Sequence, residues 1–437
     1  MPIRIKQTIL FIGDVVLLYG CLFVTLTLRY GSPTAYISDH LGPFSVIFAL
    51  WITIFYIAGL YDNTGPKRTL ELAQKTFVAV GVGAILAIVL FYLIPYFKIS
   101  PKTNLALFSG IFVFVFFGWR FLFSYISRSS KKSVLVIGSG PDVRELIDCV
   151  HSNPHWGYAI AHVISDAHTI SSPQLLSLIK EYGVSTIVIS SSTDASLPFL
   201  DGIFKSISSG IEVLDLTTAY ELLMRKVPLG DVERLWMITS VSKSRRIYES
   251  IKRPTELVTA TLLFVILFPV LIVLYLLVTG TSRGGGIYRQ TRVGKNEHLF
   301  TIYKFRTMVR DAEAEGAQWA QGNNDPRITT IGRVLRRLHL DELPQLLNII
   351  RGDLSFVGPR PERPEFVADL KKHTPYYDAR HLIKPGVTGW AQINFRYGAS
   401  IEDAYTKLQY DIYYIKHRSF TLDILIALKT LNSFLIG

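Results

Sequence analysis

Long apolar runs alternate with regions of mixed character along this chain of 437 residues. Four runs come first, each close to the roughly 20 residues that a helix needs to cross a bilayer. They are Ile9–Leu28, Pro43–Leu60, Phe77–Tyr96 and Leu105–Ile126. Their short connections predict a four-helix transmembrane domain over residues 1–128. Asp14 interrupts the first run, and because a charge is costly in lipid, we expect it to face other helices or the interface. The same run exceeds a signal-peptide core, so we expect no cleaved leader.

Shorter apolar segments follow, spaced as strands that alternate with helices. The strand candidates are Val134–Ile137, Tyr158–Ile164, Thr186–Ile189 and Ile211–Leu216. This alternation predicts a Rossmann-like, doubly wound α/β domain with a parallel sheet over residues 129–241. Gly138-Ser-Gly140 follows the first strand, but Val143 takes the third glycine position of a dinucleotide fingerprint. A tight turn with a helix cap explains these glycines as well as a cofactor site does.

A fifth apolar run, Leu257–Val278, is long enough to cross the membrane but carries features against crossing. Pro269 lies near its middle and removes a backbone hydrogen bond. Basic residues flank the run on both sides, so the positive-inside rule gives no direction of crossing. We therefore predict a broken, re-entrant membrane helix within a basic interfacial segment at residues 242–280. A mixed α/β catalytic domain at residues 281–437 should follow, and an outright span stays the alternative.

Basic residues near the ends of the first four runs set the predicted orientation. One set of ends carries Arg4, Lys6, Lys67, Arg68, Lys75, Arg128, Lys131 and Lys132. The opposite ends carry only Arg29, Lys98 and Lys102. This excess predicts that the N-terminus and the region after residue 128 face the cytoplasm. The formal net charge of +12 suits lipid headgroups, nucleotides or nucleic acid, and does not choose among them.

The densest group of charged residues begins at Arg336. Asp341 and Glu342 stand directly before an apolar helical pattern, in which Pro344 is tolerated only in the first turn and Gly352 is suited to end the helix. The pattern predicts a short helix that begins at about Asp341, with Asp341 as its N-cap. Capping and favourable charge in the first turn would by themselves explain such an acidic pair.

Arginines and prolines around the pair favour phosphate chemistry instead. Four arginines could bind phosphate oxygens in bidentate fashion: Arg336, Arg351, Arg360 and Arg363. Three prolines stiffen the segment that carries the last two arginines: Pro359, Pro361 and Pro364. A helix N-terminus favours the ionised form of Asp341, which could attack phosphorus as a nucleophile. Glu342 points about 100° away on a helix and is suited to hold Mg²⁺ together with substrate phosphates.

Four motifs resemble the large monotopic phosphoglycosyl transferases, the bacterial polyprenyl-phosphate hexose-1-phosphate transferases of exopolysaccharide biosynthesis. They are Tyr303-Lys-Phe-Arg-Thr-Met308, Leu340-Asp-Glu-Leu-Pro-Gln345, Gly352-Asp-Leu-Ser-Phe-Val-Gly-Pro-Arg-Pro361 and Lys384-Pro-Gly-Val-Thr-Gly-Trp-Ala-Gln392. The order of domains resembles the family over essentially the whole chain. Leu338-His339 is a departure, because many relatives carry small hydroxyl residues before the acidic pair.

The resemblance implies a reaction and a location. Asp341 would attack the sugar-linked phosphate of a UDP-sugar, with UDP-glucose or UDP-galactose as donor, and would release UMP. Undecaprenyl phosphate would then take the phosphosugar, Glu342 would serve a Mg²⁺ site, and Pro269 would match the break in the family's re-entrant helix. The enzyme would lie in the lipid bilayer of the bacterial inner membrane with its catalytic domain in the cytoplasm. A homodimer stays open, and no nucleic-acid partner is expected.

Further candidate residues flank these motifs. Lys304 and Arg306 lie two apart in a strand-like stretch, so both face one side, toward phosphate or toward solvent. Arg380 and Gln392 flank the turn-rich segment Lys384–Trp390, which could shape a nucleotide pocket or form an ordinary loop. The histidines of this region lack metal-binding spacing, so the sequence predicts no zinc site at His339, His373, His381 or His417.

Two other functions stay open at the level of sequence. A membrane-anchored nucleotide-sugar dehydratase or epimerase can share this domain order, and Tyr248 and Lys252 have the Tyr-x-x-x-Lys spacing of such enzymes. We interpret that pair as an interfacial anchor, with Lys252 near lipid headgroups. A non-enzymatic scaffold for polysaccharide assembly is the other alternative, although a scaffold does not require an acidic pair among arginines.

Overall fold

The computed structural model describes most of the chain. The described residues are 3–32, 34, 36–61, 69–93, 102–126, 131–166, 168, 170–191, 193, 197–242, 245–282, 284–310, 312, 325–395 and 400–436. They form two compact units, Met1–Leu214 and Asp215–Gly437.

Apolar helices open the first unit, as the hydropathy pattern predicts. They are α1 (Ile3–Tyr30), α2 (Ile37–Ile57), α3 (Thr69–Leu93) and α4 (Lys102–Ile126). By length and composition, the described segments that could cross a membrane here are Thr8–Tyr30, Ile37–Ile57 and Thr103–Phe123, and Lys75–Phe91 is a shorter apolar segment. Large aromatic side chains fill the core of these helices, with Trp51, Phe108 and Phe112 fully buried. These helices are therefore compatible with the predicted membrane bundle.

Asp14 of α1 is fully buried and forms an ion pair with Arg120 of α4, with 2.6 Å between Oδ2 and NH2. The guanidinium of Arg120 also lies over the rings of Phe116 and Tyr61, at 4.6 and 5.4 Å from their centroids. The prediction that Asp14 faces other helices is confirmed. Because either charge would be uncompensated without the other, this pair ties α1 to α4.

A small α/β region completes the first unit. Its strands are β1 (Lys132–Ile137), β2 (Tyr158–Ile164), β3 (Thr186–Ile189) and β4 (Glu212–Asp215). They lie in the order β2-β1-β3-β4, and β1 pairs in parallel with both β2 and β3. The intervening helices are α5 (Pro141–Ser152), α6 (Ser172–Glu181) and α7 (Leu197–Ser208). The predicted alternation of strands and helices is confirmed.

The turn after β1 accounts for its first glycine. Gly138 has a φ of +132°, and a Cβ added there would lie 2.5 Å from the Cβ of Ser190. A side chain at this position would therefore be strained by both backbone and contact. The turn alone is enough to require glycine at this position.

The second unit contains both helices and short strands. Its helices are α8 (Leu216–Leu223), α9 (Arg234–Val241), α10 (Arg246–Thr281), α11 (Thr330–Arg337), α12 (Leu346–Arg351), α13 (Pro364–His373), α14 (Trp390–Asn394), α15 (Ile401–His417) and α16 (Phe420–Ile436). Strands β5 (Ile287–Val293) and β6 (Leu299–Phe305) pair antiparallel, and β7 (Ser355–Val357) pairs in parallel with β8 (Gly386–Thr388).

The segment from Asp215 to Val241 belongs to this second unit, although the predicted domain boundary lay at residue 241. Val227 and Leu229 are buried in one cluster with Leu408 and Ile412 of α15. Apolar burial therefore ties this segment to the C-terminal unit.

Helix α10 continues through Pro254 and Pro269 over its 36 residues, so the predicted break at Pro269 is not seen in the helical backbone. The helix packs on the rest of the second unit on both sides of that proline. Ala260 lies in one cluster with Ile302 and Leu346, and Leu271 lies in another with Phe305 and Leu335. These contacts support the helix where the proline leaves a carbonyl without its usual partner.

Candidate active site

The acidic pair lies on a short 3-10 helix, Leu340–Gln345, which joins α11 to α12. His339 reverses the chain with a φ of +53° and takes the N-cap position, so the prediction that Asp341 caps the helix is wrong. Pro344 has no amide hydrogen for an α-helical bond, and regular α-helix begins only at Leu346. Gly352 ends α12 with a φ of +95°, as predicted.

Glu342 is held by two cations. Its Oε1 accepts hydrogen bonds from Lys304 Nζ at 2.7 Å and from Arg360 NH2 at 2.9 Å, and its side chain is 16% exposed. Burial alone would raise the pKa of this carboxyl, but Lys304 and Arg360 outweigh burial and hold the pKa well below its usual range. Glu342 therefore stays ionised to lower pH than an ordinary glutamate does.

Asp341 is in the opposite electrostatic situation. It is buried, and burial together with the adjacent charge of Glu342 raises its pKa above the usual range, against the opposing effect of nearby cations. The expectation that a helix N-terminus favours the ionised form of Asp341 is therefore corrected, because that residue is not at an N-cap and its neighbour is a permanent anion. Of the two carboxylates, Asp341 is the one that takes up a proton first.

This difference predicts a displaced acid limb in the pH profile of the reaction. If Asp341 must be ionised to react, kcat/KM should fall on acidification at a pH above the ordinary range of an aspartate, because burial and Glu342 raise the Asp341 pKa. The measurement is initial rate under limiting substrate from acidic to neutral pH. A limb at the ordinary aspartate range would contradict the assignment.

Strand β6 presents Lys304, which lies opposite Tyr288 of β5. Arg306 comes just after the strand, where its Nε donates to the carbonyl of Gly285 at 3.1 Å and its guanidinium lies 5.7 Å from the Tyr288 ring centroid. The structure thus brings Lys304 directly to the acidic pair, while the side chain of Arg306 contacts Tyr288 of β5 and the loop before that strand.

The other predicted arginines differ in how close they lie to the acidic pair. Arg336 donates to the Thr307 hydroxyl at 2.8 Å and is close enough to Asp341 to oppose the rise of its pKa. Arg351 donates to the Tyr303 hydroxyl at 2.7 Å. Tyr303 and Lys304 are adjacent in a strand and point to opposite faces, so Arg351 lies on the other side of β6 from the acidic pair. Arg363, at the start of α13, lies over the ring of Phe366, 5.6 Å from its centroid.

Arg380 supports Arg360 from behind. It is buried, donates to the backbone carbonyl of Arg360 at 2.9 Å, and forms an ion pair with Asp411 at 3.0 Å. Burial raises the pKa of Asp411 to about 6, against the effect of Arg380. Arg380 was predicted as a ligand, and the contacts shown are instead those of a positioning residue. Asp411 was not predicted, and its spacing from Arg380 carries no sequence signal.

Close backbone packing holds the segment before Arg360. The Pro359 carbonyl accepts from the Gly386 amide at 2.9 Å, and a Cβ on Gly386 would lie 2.1 Å from the Gly358 nitrogen. Gln392 donates to the Val387 carbonyl at 3.0 Å, while its buried Oε1 has no hydrogen-bond partner among the described residues. The two glycine-rich motifs therefore meet directly and fix the position from which Arg360 reaches Glu342.

Tyr248 and Lys252 lie inside the second unit, so the interpretation of Lys252 as a headgroup anchor is corrected. Lys252 Nζ forms an ion pair with Asp423 at 2.9 Å and donates to the Val357 carbonyl at 3.0 Å. Tyr248 donates to Asp423 at 2.7 Å. Because both side chains contact Asp423, and Lys252 also donates to the Val357 carbonyl of β7, their spacing gives no support to a dehydratase.

The site described above falls within residues 247–437, which match the family model described as bacterial sugar transferase. Over 149 residues the chain is 42% identical to the putative undecaprenyl-phosphate N-acetylgalactosaminyl 1-phosphate transferase of Bacillus subtilis (strain 168), which is 34% of this chain and 82% of that relative. This chain belongs to the bacterial sugar transferase family.

Longer bacterial sugar transferases match over the same region. The chain is 41% identical over 191 residues to the UDP-N-acetylgalactosamine-undecaprenyl-phosphate N-acetylgalactosaminephosphotransferase of Aeromonas hydrophila, covering 44% of this chain and 45% of that relative. It is 39% identical over 183 residues to the UDP-glucose:undecaprenyl-phosphate glucose-1-phosphate transferase of Escherichia coli (strain K12), covering 41% and 39%. The matched part thus spans less than half the length of these two relatives.

Proposed function

We propose that this bacterial sugar transferase moves a hexose-1-phosphate from a UDP-sugar to undecaprenyl phosphate and releases UMP, through a covalent phosphosugar on Asp341. The observation that carries the proposal is that the two carboxylates differ in their electrostatic surroundings. Glu342 forms ion pairs with Lys304 and Arg360, whereas the pKa of Asp341 is raised, so Asp341 is the carboxylate that takes up a proton more readily. The names of the relatives support undecaprenyl phosphate as the acceptor and a UDP-sugar as the donor.

In the first half-reaction, an oxygen of ionised Asp341 attacks the sugar-linked phosphorus of the donor. The new bond joins this oxygen to phosphorus, and the bond that breaks joins phosphorus to the oxygen bridging the two phosphates, so UMP leaves with that oxygen and its electron pair. Arg360, whose side chain is 45% exposed, and Arg336 would stabilise the negative charge on the transferred phosphate and on UMP.

In the second half-reaction, a phosphate oxygen of undecaprenyl phosphate attacks the same phosphorus. The bond from Asp341 breaks, its carboxylate is restored, and the lipid carries a sugar diphosphate. Ping-pong kinetics follow from this sequence, because the first product leaves before the acceptor reacts.

We propose Mg²⁺ as the metal at this site, bound through Glu342 and the donor's phosphates. The donor set fits, since Mg²⁺ usually takes one or two carboxylates together with substrate phosphates. Oε1 of Glu342 already accepts hydrogen bonds from Lys304 and Arg360, so few protein oxygens are free to bind the metal ion. The phosphates of the UDP-sugar should therefore supply further ligands. Bound Mg²⁺ would neutralise phosphate charge, while Lys304 and Arg360 hold Glu342 in place.

We also propose that α10 is a re-entrant helix, which lies at the cytoplasmic face of the bacterial inner membrane. A straight helix of 36 residues is about 54 Å long, more than a bilayer core of about 30 Å. Yet one face of α10 packs on the second unit from Arg253, which donates to the Ile349 carbonyl at 2.6 Å, to Val278. Its other face exposes apolar residues such as Val265 and Leu276. Because one domain packs on α10 on both sides of Pro269, we propose that both ends of the helix lie on the same side of the membrane. A bend at Pro269, which a proline can cause without ending the helix, would allow the helix to return.

Labelling of single cysteines on both flanks of α10 tests this topology. Single-cysteine variants of the exposed residues Ile247 and Thr281, in a background with Cys21 and Cys149 replaced, should both react with a membrane-impermeant reagent from the cytoplasmic side of inverted vesicles. The expected result follows from the shared domain at both ends of the helix. Labelling of the two flanks from opposite sides would establish a span and overturn the re-entrant proposal.

The donor is tested with a panel of UDP-sugars. The relatives' names include glucose, galactose and N-acetylgalactosamine donors, so UDP-glucose, UDP-galactose and UDP-N-acetylgalactosamine form the panel. We expect release of UMP, dependent on Mg²⁺, with one donor preferred. Release of UDP would instead show transfer of the sugar without its phosphate and would exclude the proposed reaction.

We further propose that the small α/β region is Rossmann-like and doubly wound. Its strand order of β2-β1-β3-β4 corresponds to the first four strands of the flavodoxin-like order. An experimental structure of this region with helices on one face only would contradict the proposal.

A further inference from the structure

We propose that a second cluster, distinct from the acidic pair, binds a divalent transition-metal ion, with Zn²⁺ as its test ligand. The cluster consists of Glu297, Asp378 and His381, and one ligand atom from each lies within 4.8 Å of the others. Glu297 ends the 3-10 turn Lys295–Glu297 between β5 and β6, and the other two lie on the 3-10 helix Tyr377–Leu382. Distant parts of the chain thus bring three metal-binding side chains to one point.

His381 distinguishes this cluster from an ordinary patch of exposed acids. Its side chain is 8% exposed, and its Nδ1 has no hydrogen-bond partner among the residues that the structure describes. This nitrogen lies 4.0 Å from Oδ1 of Asp378 and therefore faces the carboxylates. A buried polar atom without a partner is unfavourable, and a metal ion that accepts the nitrogen lone pair would satisfy it.

A lysine already shows that the two carboxylates attract positive charge. Lys371 Nζ lies 2.8 Å from Oε1 of Glu297 and 2.7 Å from Oδ1 of Asp378. Its side chain is 30% exposed, so the ammonium group can move out to solvent when another cation binds. Lys371 therefore competes with a metal ion for the carboxylates and leaves Nδ1 of His381 without a partner.

The donor set selects the class of metal. Mg²⁺ and Ca²⁺ prefer oxygen ligands, whereas one imidazole nitrogen with two carboxylates suits Zn²⁺ and related transition metals. Metal binding would also fix the helical turn that carries Arg380, the residue next to His381 that supports the Arg360 carbonyl. The cluster is therefore placed to rigidify the segment behind the acidic pair.

Zn²⁺ binding to the full chain tests the proposal without any sugar donor, so its outcome is independent of the transferase reaction. The protein, purified in detergent and freed of metal, is titrated with Zn²⁺ by calorimetry in excess Mg²⁺. The variants are Asp378→Asn, Glu297→Gln and Lys371→Met. The matched control is Asp201→Asn, which alters another exposed aspartate paired with a lysine, 2.6 Å from Lys205 in the first unit.

We expect wild type and D201N to bind one Zn²⁺ ion at this cluster. D378N and E297Q should weaken that binding by at least about 10-fold, as loss of a metal-site group does, while K371M should strengthen it by removing the competing ammonium. Equal Zn²⁺ binding in wild type, D378N and E297Q, or weaker binding in K371M, would overturn the proposal. A Co²⁺ titration gives a second reading, since visible absorption from a low-coordinate site should appear in wild type and be absent in D378N.

Discussion

Replacing Asp341 with Asn should reduce phosphosugar transfer by at least about 10³-fold, because an amide lacks the nucleophilic carboxylate oxygen that forms the bond to phosphorus. Asn has nearly the same size, so the packing of this buried side chain is retained. The measurement uses the full chain, purified in detergent and freed of lipid, incubated with a UDP-sugar labelled on its β-phosphate. Wild type should form labelled protein when acceptor is withheld and labelled lipid when it is supplied, whereas D341N should form neither.

An exposed aspartate in the same unit provides the control for this variant. Asp369 lies on α13, its side chain is 60% exposed, and Asp369→Asn should label both protein and lipid as wild type does. Unchanged lipid labelling in D341N would remove Asp341 from the reaction. If wild type labels the lipid fully but never forms labelled protein, the covalent intermediate is refuted and direct transfer is favoured.

Replacing Glu342 with Gln should lower kcat/KM at neutral pH by at least about 100-fold, because a neutral amide no longer holds the side chains of Lys304 and Arg360 in place. Lys304 and Arg360 both bond to Oε1 of Glu342, so they would lose their charged partner together. The same change removes an anion that helps to raise the pKa of Asp341. The acid limb of the residual activity should therefore move to lower pH, opposite to the direction expected from general damage to the site.

This prediction is tested by measuring kcat/KM against pH for E342Q, with Glu402→Gln as the control. Glu402 is exposed in the first turn of α15, and its replacement should leave both rate and acid limb as in wild type. An E342Q profile that is lower but has an unshifted acid limb would contradict the electrostatic coupling of the pair. Activity near that of wild type would exclude a role for Glu342 in holding the metal and the cations.

The sequence was sufficient to predict a candidate site at the acidic pair, but not the electrostatic state of its two carboxylates. The four motifs lie within the second unit, where the acidic pair contacts Lys304 and Arg360, and Gly352 ends α12 as its position predicts. The N-cap assignment of Asp341 was wrong because the backbone reverses at His339. Histidine adopts a positive φ more often than most non-glycine residues, but that conformation is uncommon even for histidine, so the sequence pattern does not indicate it. Once that cap is lost, burial and the charge of Glu342 raise the pKa of Asp341. The sequence shows that Glu342 is adjacent, but it shows neither the burial of Asp341 nor the contacts with Lys304 and Arg360 that keep Glu342 ionised.

Hydropathy and local spacing by themselves determined the apolar helices, the alternating strands of the small α/β region and the segments that carry the acidic pair. These features depend on neighbouring residues, which share a helix face or alternate along a strand. Only the tertiary structure decided which distant groups meet. Glu342 is 38 residues from Lys304 and 18 from Arg360. Arg380 forms an ion pair with Asp411 because the packing of α15 brings Asp411 close to it. Ion pairs over such separations arise from how elements pack, so the working charge of each carboxylate follows from the fold.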